Sequence, residues 1–86
     1  MEYDDGKCFP CPCCGFLTIG EPPPGTFEIC IVCGWEDDNV QFYYPDNRGG
    51  ANHISLNEAR ANYAKFGAAK KESLLRVRPP LPDEIP

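Results

Sequence analysis

Six cysteines in 86 residues give this chain its chemistry, and four of them fall in two spaced pairs. Cys11-Pro12-Cys13-Cys14-Gly15 is followed, after fifteen intervening residues, by Cys30-Ile31-Val32-Cys33-Gly34. Cys-x2-Cys repeated at that interval is the spacing of a tetrahedral four-thiolate zinc site. Each pair closes on a glycine, the residue that takes a left-handed turn without steric cost. Cys8 and Cys11 offer a competing register, since they too are separated by two residues. A knuckle needs backbone N–H donors two and three residues beyond its first cysteine. Starting at Cys8, one donor falls on Pro10, which has no N–H; starting at Cys11, the donors are Cys13 and Cys14. The expected metal ligands are therefore Cys11, Cys14, Cys30 and Cys33.

Four protein thiolates fill a tetrahedral shell, whereas zinc catalysis requires an open position for water or substrate. The metal is expected to be structural, and the chain not to be an enzyme. Zinc is the commoner occupant of such a site, and single iron is the alternative. Cys8 and Cys13 remain as packed thiols or as redox-active ones. His53, the one histidine, sits in a polar loop and is expected to be solvated.

The elements that must position the thiols follow from patterning. A single domain of this size buries only about 60–65% of its unfolded surface, so a structural metal is a natural supplement to the core. Phe16–Ile19 and Thr26–Ile29 read as two strands around the Gly20–Gly25 turn, whose three prolines exclude regular structure. That is a zinc-ribbon β-hairpin, with Gln41–Tyr44 as a further strand. Ser55-Leu56-Asn57-Glu58 is a capping box, opening an amphipathic helix with Leu56, Ala59, Tyr63 and Phe66 on one face and Gly67 as its stop. Residues 68–75 suggest a shorter helix. Residues 1–6 are expected to fray, and 77–86, with four prolines, to run as an extended tail. The fold class is α+β: a small zinc-ribbon hairpin with one or two packed helices. Its expected core is Phe16, Ile19, Phe27, Ile29, Trp35, Leu56, Tyr63 and Phe66.

Charge narrows the partners. The net charge of −5 divides into −7 over residues 1–43 and +2 over 44–86. An acidic metal half is poorly suited to the phosphate backbone of nucleic acid, which calls for a basic patch. Trp35-Glu36-Asp37-Asp38 is the candidate partner-binding face, an aromatic beside clustered carboxylates that would steer and anchor a basic protein surface. The leading function is a non-enzymatic, zinc-binding protein-interaction module. In one version it is an immunity protein that covers a toxin's active site. The alternative is nucleic-acid binding by Arg60, Lys65, Lys70, Lys71, Arg76 and Arg78, and the third a thiol redox protein. No secretory leader or membrane-spanning stretch is visible, so reduced thiols in a cytoplasm are expected.

Several of these segments together resemble the cysteine-rich CPCC family. They are Cys-Pro-Cys-Cys-Gly at 11–15, Glu-Ile-Cys at 28–30 and Val-Cys-Gly-Trp-Glu-Asp-Asp at 32–38. Gly-Gly-Ala-Asn at 49–52, Ser-Leu-x-Glu-Ala at 55–59, Phe-Gly-Ala at 66–68 and Val-Arg-Pro-Pro at 77–80 complete the set. Ile31 departs from a pattern that tends to have proline there. The resemblance implies a small, mostly bacterial single-domain protein. It transfers no catalytic residue, and it implies that the acidic segment and the capped helix belong to one unit with the ribbon.

Overall fold

The computed structural model describes residues 8–86; the expectation for residues 1–6 lies outside them. Two short strands, β1 (Phe9–Pro10) and β2 (Leu17–Ile19), pair antiparallel across the first cysteine pair, with Phe9 opposite Ile19. Two α-helices follow, α1 (Asn39–Tyr43) and α2 (Leu56–Phe66), then single turns of 3-10 helix at Lys71–Leu75 and Pro82–Glu84. The class is α+β, as patterning implies. No helix among the described residues is long and apolar enough to cross a membrane.

The strand pairing differs from the expected hairpin. Phe16–Ile19 and Thr26–Ile29 do not pair with each other; each cysteine pair instead sits on its own small hairpin. β2 returns onto β1, and Ile29 bridges Glu36 just beyond the second pair. Phe27 N–H donates to Asp37 O (3.0 Å) and Asp37 N–H to Glu28 O (2.9 Å). Phe27 also adopts a left-handed backbone (φ 57°), which breaks the alternation read from Thr26–Ile29. Phe27 and Ile29 are consequently 50% and 66% exposed, not in the core.

The core holds Ile19, Val32, Trp35, Leu56, Ala59, Ala69, Cys11, Cys30 and Cys33, with Cys14, Phe16 and Tyr63 packed against it. Phe16 and Tyr63 meet edge to face at 6.2 Å between ring centroids. Helix α2 begins and ends as the sequence predicts. The Ser55 hydroxyl accepts from Glu58 N–H (3.0 Å), Glu58 Oε1 accepts from Ser55 N–H (2.8 Å), and Gly67 closes the last turn at φ 90°. Bonding to the Ser55 N–H, reinforced by Arg48 at 3.1 Å, holds the Glu58 carboxyl below the usual carboxylate range.

Gln41–Tyr44 forms no strand. Asp38 caps α1 there, its Oδ1 accepting from Val40 N–H (2.8 Å) and Gln41 N–H (3.1 Å). Residues 68–75 form 3-10 structure over Lys71–Leu75 only. The proline-rich tail is extended to Leu81 and then turns once, where Arg78 pairs with both oxygens of Glu84 at 2.8 Å.

Candidate metal centre

The two cysteine pairs fold into turns with the same hydrogen-bond pattern. Cys11 N–H donates to Phe16 O (2.9 Å) and Gly15 N–H to Cys11 O (2.8 Å). In the second knuckle Cys30 N–H donates to Trp35 O (2.9 Å) and Gly34 N–H to Cys30 O (2.8 Å). Gly15 and Gly34 both have positive φ, 82° and 87°, where a side chain would be strained. At Gly34 there is also no room, because an added Cβ would lie 2.7 Å from Ser73 Oγ.

Placed face to face, the knuckles bring the sulfurs of Cys11, Cys14, Cys30 and Cys33 within 4.8 Å of one another. Cys11–Cys33 and Cys14–Cys30 are each 3.7 Å apart. A disulfide would require a separation of about 2.05 Å. A tetrahedral ion holding four sulfurs at ~2.3 Å sets them about 3.7–3.8 Å apart. The donor set and its spacing therefore fit a four-thiolate metal ion, and the register is the one that the backbone donors select.

Cys13 N–H points at Cys11 Sγ (3.4 Å), as expected for the first knuckle, and Trp35 N–H points at Cys33 Sγ (3.4 Å). One contact has no counterpart in the sequence reading: Thr18 Oγ1 lies 2.9 Å from Cys30 Sγ. Hydrogen bonds from Cys11 first, then Cys14, Cys33 and Thr18, hold the Cys30 thiol far below its ordinary range. Its neighbours move the other way, Cys11 raised chiefly by Cys14 and Cys30, and Cys33 chiefly by Cys11. Four thiols so close cannot all ionise without a cation among them, which is what a divalent metal supplies.

The rest of the chain ties the knuckles together. Arg60, on α2, donates through Nε to Pro12 O of the first (3.0 Å), and Ala69 N–H donates to Cys33 O of the second (2.7 Å). Arg78 N–H reaches Ile31 O (3.2 Å). Cys8 and Cys13 are half-buried free thiols. His53 is exposed, with a left-handed backbone at φ 62°.

The acidic face is corrected by the structure. Trp35 and Asp37 are completely buried and Asp38 is 6% exposed; only Glu36 retains partial access. Their polar atoms bind the chain itself. Asp37 Oδ2 accepts from Thr26 N–H (3.0 Å) and Thr26 Oγ1 (2.8 Å), and Asp38 Oδ2 from Ala51 N–H (3.0 Å). The other half of this network comes from two residues that patterning passed over. Asn52 takes both backbone groups of Glu36, Oδ1 accepting from its N–H and Nδ2 donating to its carbonyl, each at 2.8 Å. Gln41 Oε1 accepts from Asn52 Nδ2 (2.9 Å), while its Nε2 donates to Asn47 O (2.9 Å) and Ile54 O (2.7 Å). A signal for the cap was present, because Asp38-x-x-Gln41 has the spacing of a helix-start motif. Asn52, fourteen positions beyond Asp38 and with no local pattern, offered none.

The basic residues considered for nucleic acid are also partly engaged. Arg60 and Arg78 are bonded as above, Lys70 Nζ donates to Asn52 O (3.3 Å), and Lys71 lies 6.0 Å over the Phe66 ring. No curated protein matches the chain. Residues 9–84, nearly its whole length and spanning both knuckles and the polar network, match the profile described as Cysteine-rich CPCC, and the chain belongs to that family.

Proposed function

We propose that Cys11, Cys14, Cys30 and Cys33 hold one zinc ion with a structural role, in a non-enzymatic module that binds another protein. The convergence of four thiols at 3.7 Å contacts carries the metal half of this reading. A shell closed by protein ligands leaves no position for water or substrate, and zinc is the usual ion in such a shell. The partner half draws on the surface. Ile29, Ile31, Leu74, Leu75, Leu81 and Ile85 are exposed apolar side chains, with Leu75 at 94%. An immunity protein that covers a toxin domain is one form of such a module, although Asp37 and Asp38 are committed inside the fold. Native mass spectrometry with elemental analysis tests the metal assignment. One zinc per chain is expected, lost in Cys30→Ser; a coloured protein carrying iron, or a metal-free folded chain, overturns it.

A further inference from the structure

The proline-rich tail touches both knuckles, and none of the roles described above uses it. Arg78 N–H donates to Ile31 O (3.2 Å), inside the second cysteine pair. The Pro82–Glu84 turn then lies against β2, the strand that leaves the first pair. β2 carries Thr18, whose hydroxyl sits on the Cys30 sulfur. Arg78 and Glu84 both come within range of the Cys30 charge, so the tail crosses from one knuckle to the other on the Cys30 side.

A single closure holds this crossing. Arg78 Nη1 and Nη2 donate to Glu84 Oε1 and Oε2, each at 2.8 Å, and Leu81 N–H donates to Oε1 at 2.8 Å. A guanidinium that grips both carboxylate oxygens binds more strongly and more directionally than one making a single contact. The pair is also sheltered: its side chains are 36% and 15% exposed, against 67% and 46% for Arg48 and Glu58. Hydrogen bonding from Arg78 first, and then from Leu81, holds the Glu84 carboxyl below the usual carboxylate range. Pro79, Pro80 and Pro82 stiffen the chain between the two ends. Little slack remains for the turn to stay on β2 once the pair has opened.

Cys11, Cys30 and Cys33 are at most 2% exposed, so an outside ligand cannot replace them until the knuckles part. Resting on the metal reading above, we infer that the tail is a latch that sets how fast the bound ion leaves. Arg78–Glu84 must open before the turn lifts from β2, and the turn must lift before the knuckles separate. Arg78 and Glu84 are positioning residues: they act through β2 and the Ile31 carbonyl, and neither is a metal ligand.

Zinc transfer from the loaded full chain to an excess of chromophoric chelator, timed at several chelator concentrations, tests this. The wild-type rate should not depend on chelator concentration, and Glu84→Gln should raise it about fivefold. Arg78→Lys keeps the charge and loses the fork, and should give a smaller rise. Salt at roughly 1 M should speed release from the wild type and leave Glu84→Gln unchanged. Arg48→Gln, which breaks the more exposed pair at the start of α2, should not alter the rate. Amide exchange on the zinc-loaded protein separates a latch from general loosening. Glu84→Gln should speed exchange at Arg78 N–H and spare Ala59 N–H, which is bonded to Ser55 O inside α2. A wild-type rate proportional to chelator, no acceleration in either tail variant, or equal loosening at Ala59 overturns the inference. Zinc content is measured first. Absent zinc overturns the metal reading and the latch together, whereas a loaded chain that fails these arms overturns the latch alone.

Discussion

The thiol cluster and the polar network around Asn52 lie on either side of Trp35, and they hold the chain by opposite means. In the cluster, four like groups converge that repel one another once ionised, so their proximity is tolerable only with a cation between them. In the network, donors and acceptors already match. Asp38, Gln41 and Asn52 satisfy Glu36, Val40, Ala51 and one another without any outside partner. Among the described residues, Trp35 Nε1 and Asp37 Oδ1 are the buried side-chain polar atoms that lack a partner. The difference separates two kinds of dependence. With the proposed metal, one half of the fold would be conditional on a metal supply, and the other on sequence alone. A chain this small uses both because its apolar core is thin.

The contrast can be broken most forcefully by removing the metal. Structural zinc contributes on the order of 10–16 kcal/mol in small zinc domains, more than the 5–15 kcal/mol typical of a whole fold at its lower end. Chelation should therefore abolish near-UV circular dichroism and amide dispersion. A native-like spectrum in chelator would mean that the polar network can hold the fold alone. Acid should act like chelator, because protonation of the thiolates competes with the metal.

Asn52→Ala attacks the other half. It strands the Glu36 N–H, at a cost of about 1–3 kcal/mol, while Glu36 O keeps Asp38 N–H (2.8 Å) and Gln41 Oε1 keeps the backbone N–H of position 52 (3.2 Å). Urea unfolding of the zinc-loaded protein should show that loss while zinc stoichiometry stays at one. Coincident loss of zinc would show that the two halves are one cooperative unit.

Other substitutions should distinguish the knuckles. Gly15→Ala meets only the left-handed backbone penalty, about 1–2 kcal/mol. Gly34→Ala adds the collision with Ser73 and should cost about 2–4 kcal/mol, partly recovered by Ser73→Gly. Equal costs at the two glycines would remove the asymmetry. Thr18→Val, which deletes the hydroxyl beside Cys30 Sγ, should weaken metal affinity by about tenfold. Competition with a chromophoric chelator measures it, and unchanged affinity would reduce Thr18 to packing.

What could be read from the sequence was what is local. The ligand register follows from Pro10, which lacks the N–H that a knuckle starting at Cys8 would need, and the α2 cap from Ser55 and Glu58 three residues apart. Strand pairing and the acidic segment could not be read in the same way. Thr26–Ile29 alternates like half of a hairpin, yet its backbone partner is Asp37, and that is decided by Phe27's left-handed turn. Charge suggested solvent for Asp37 and Asp38. Their burial depends on Thr26 and Ala51, eleven and thirteen residues away, and no periodicity links those positions. Short polar side chains that satisfy distant backbone groups leave no pattern in composition, which is why the segment looked like surface.

Trp35 is the chain's one tryptophan, fully buried, with its backbone N–H on the sulfur of Cys33 and Asn52's anchor residue next to it. It stands at the seam between the two halves, so its emission is a built-in optical reporter. Metal loss should change the indole's quenching by the nearby sulfurs, and opening of the Asn52 side should shift its emission toward that of hydrated indole. Intensity and colour recorded together would follow both halves in the unlabelled protein, at concentrations where metal exchange can be timed directly.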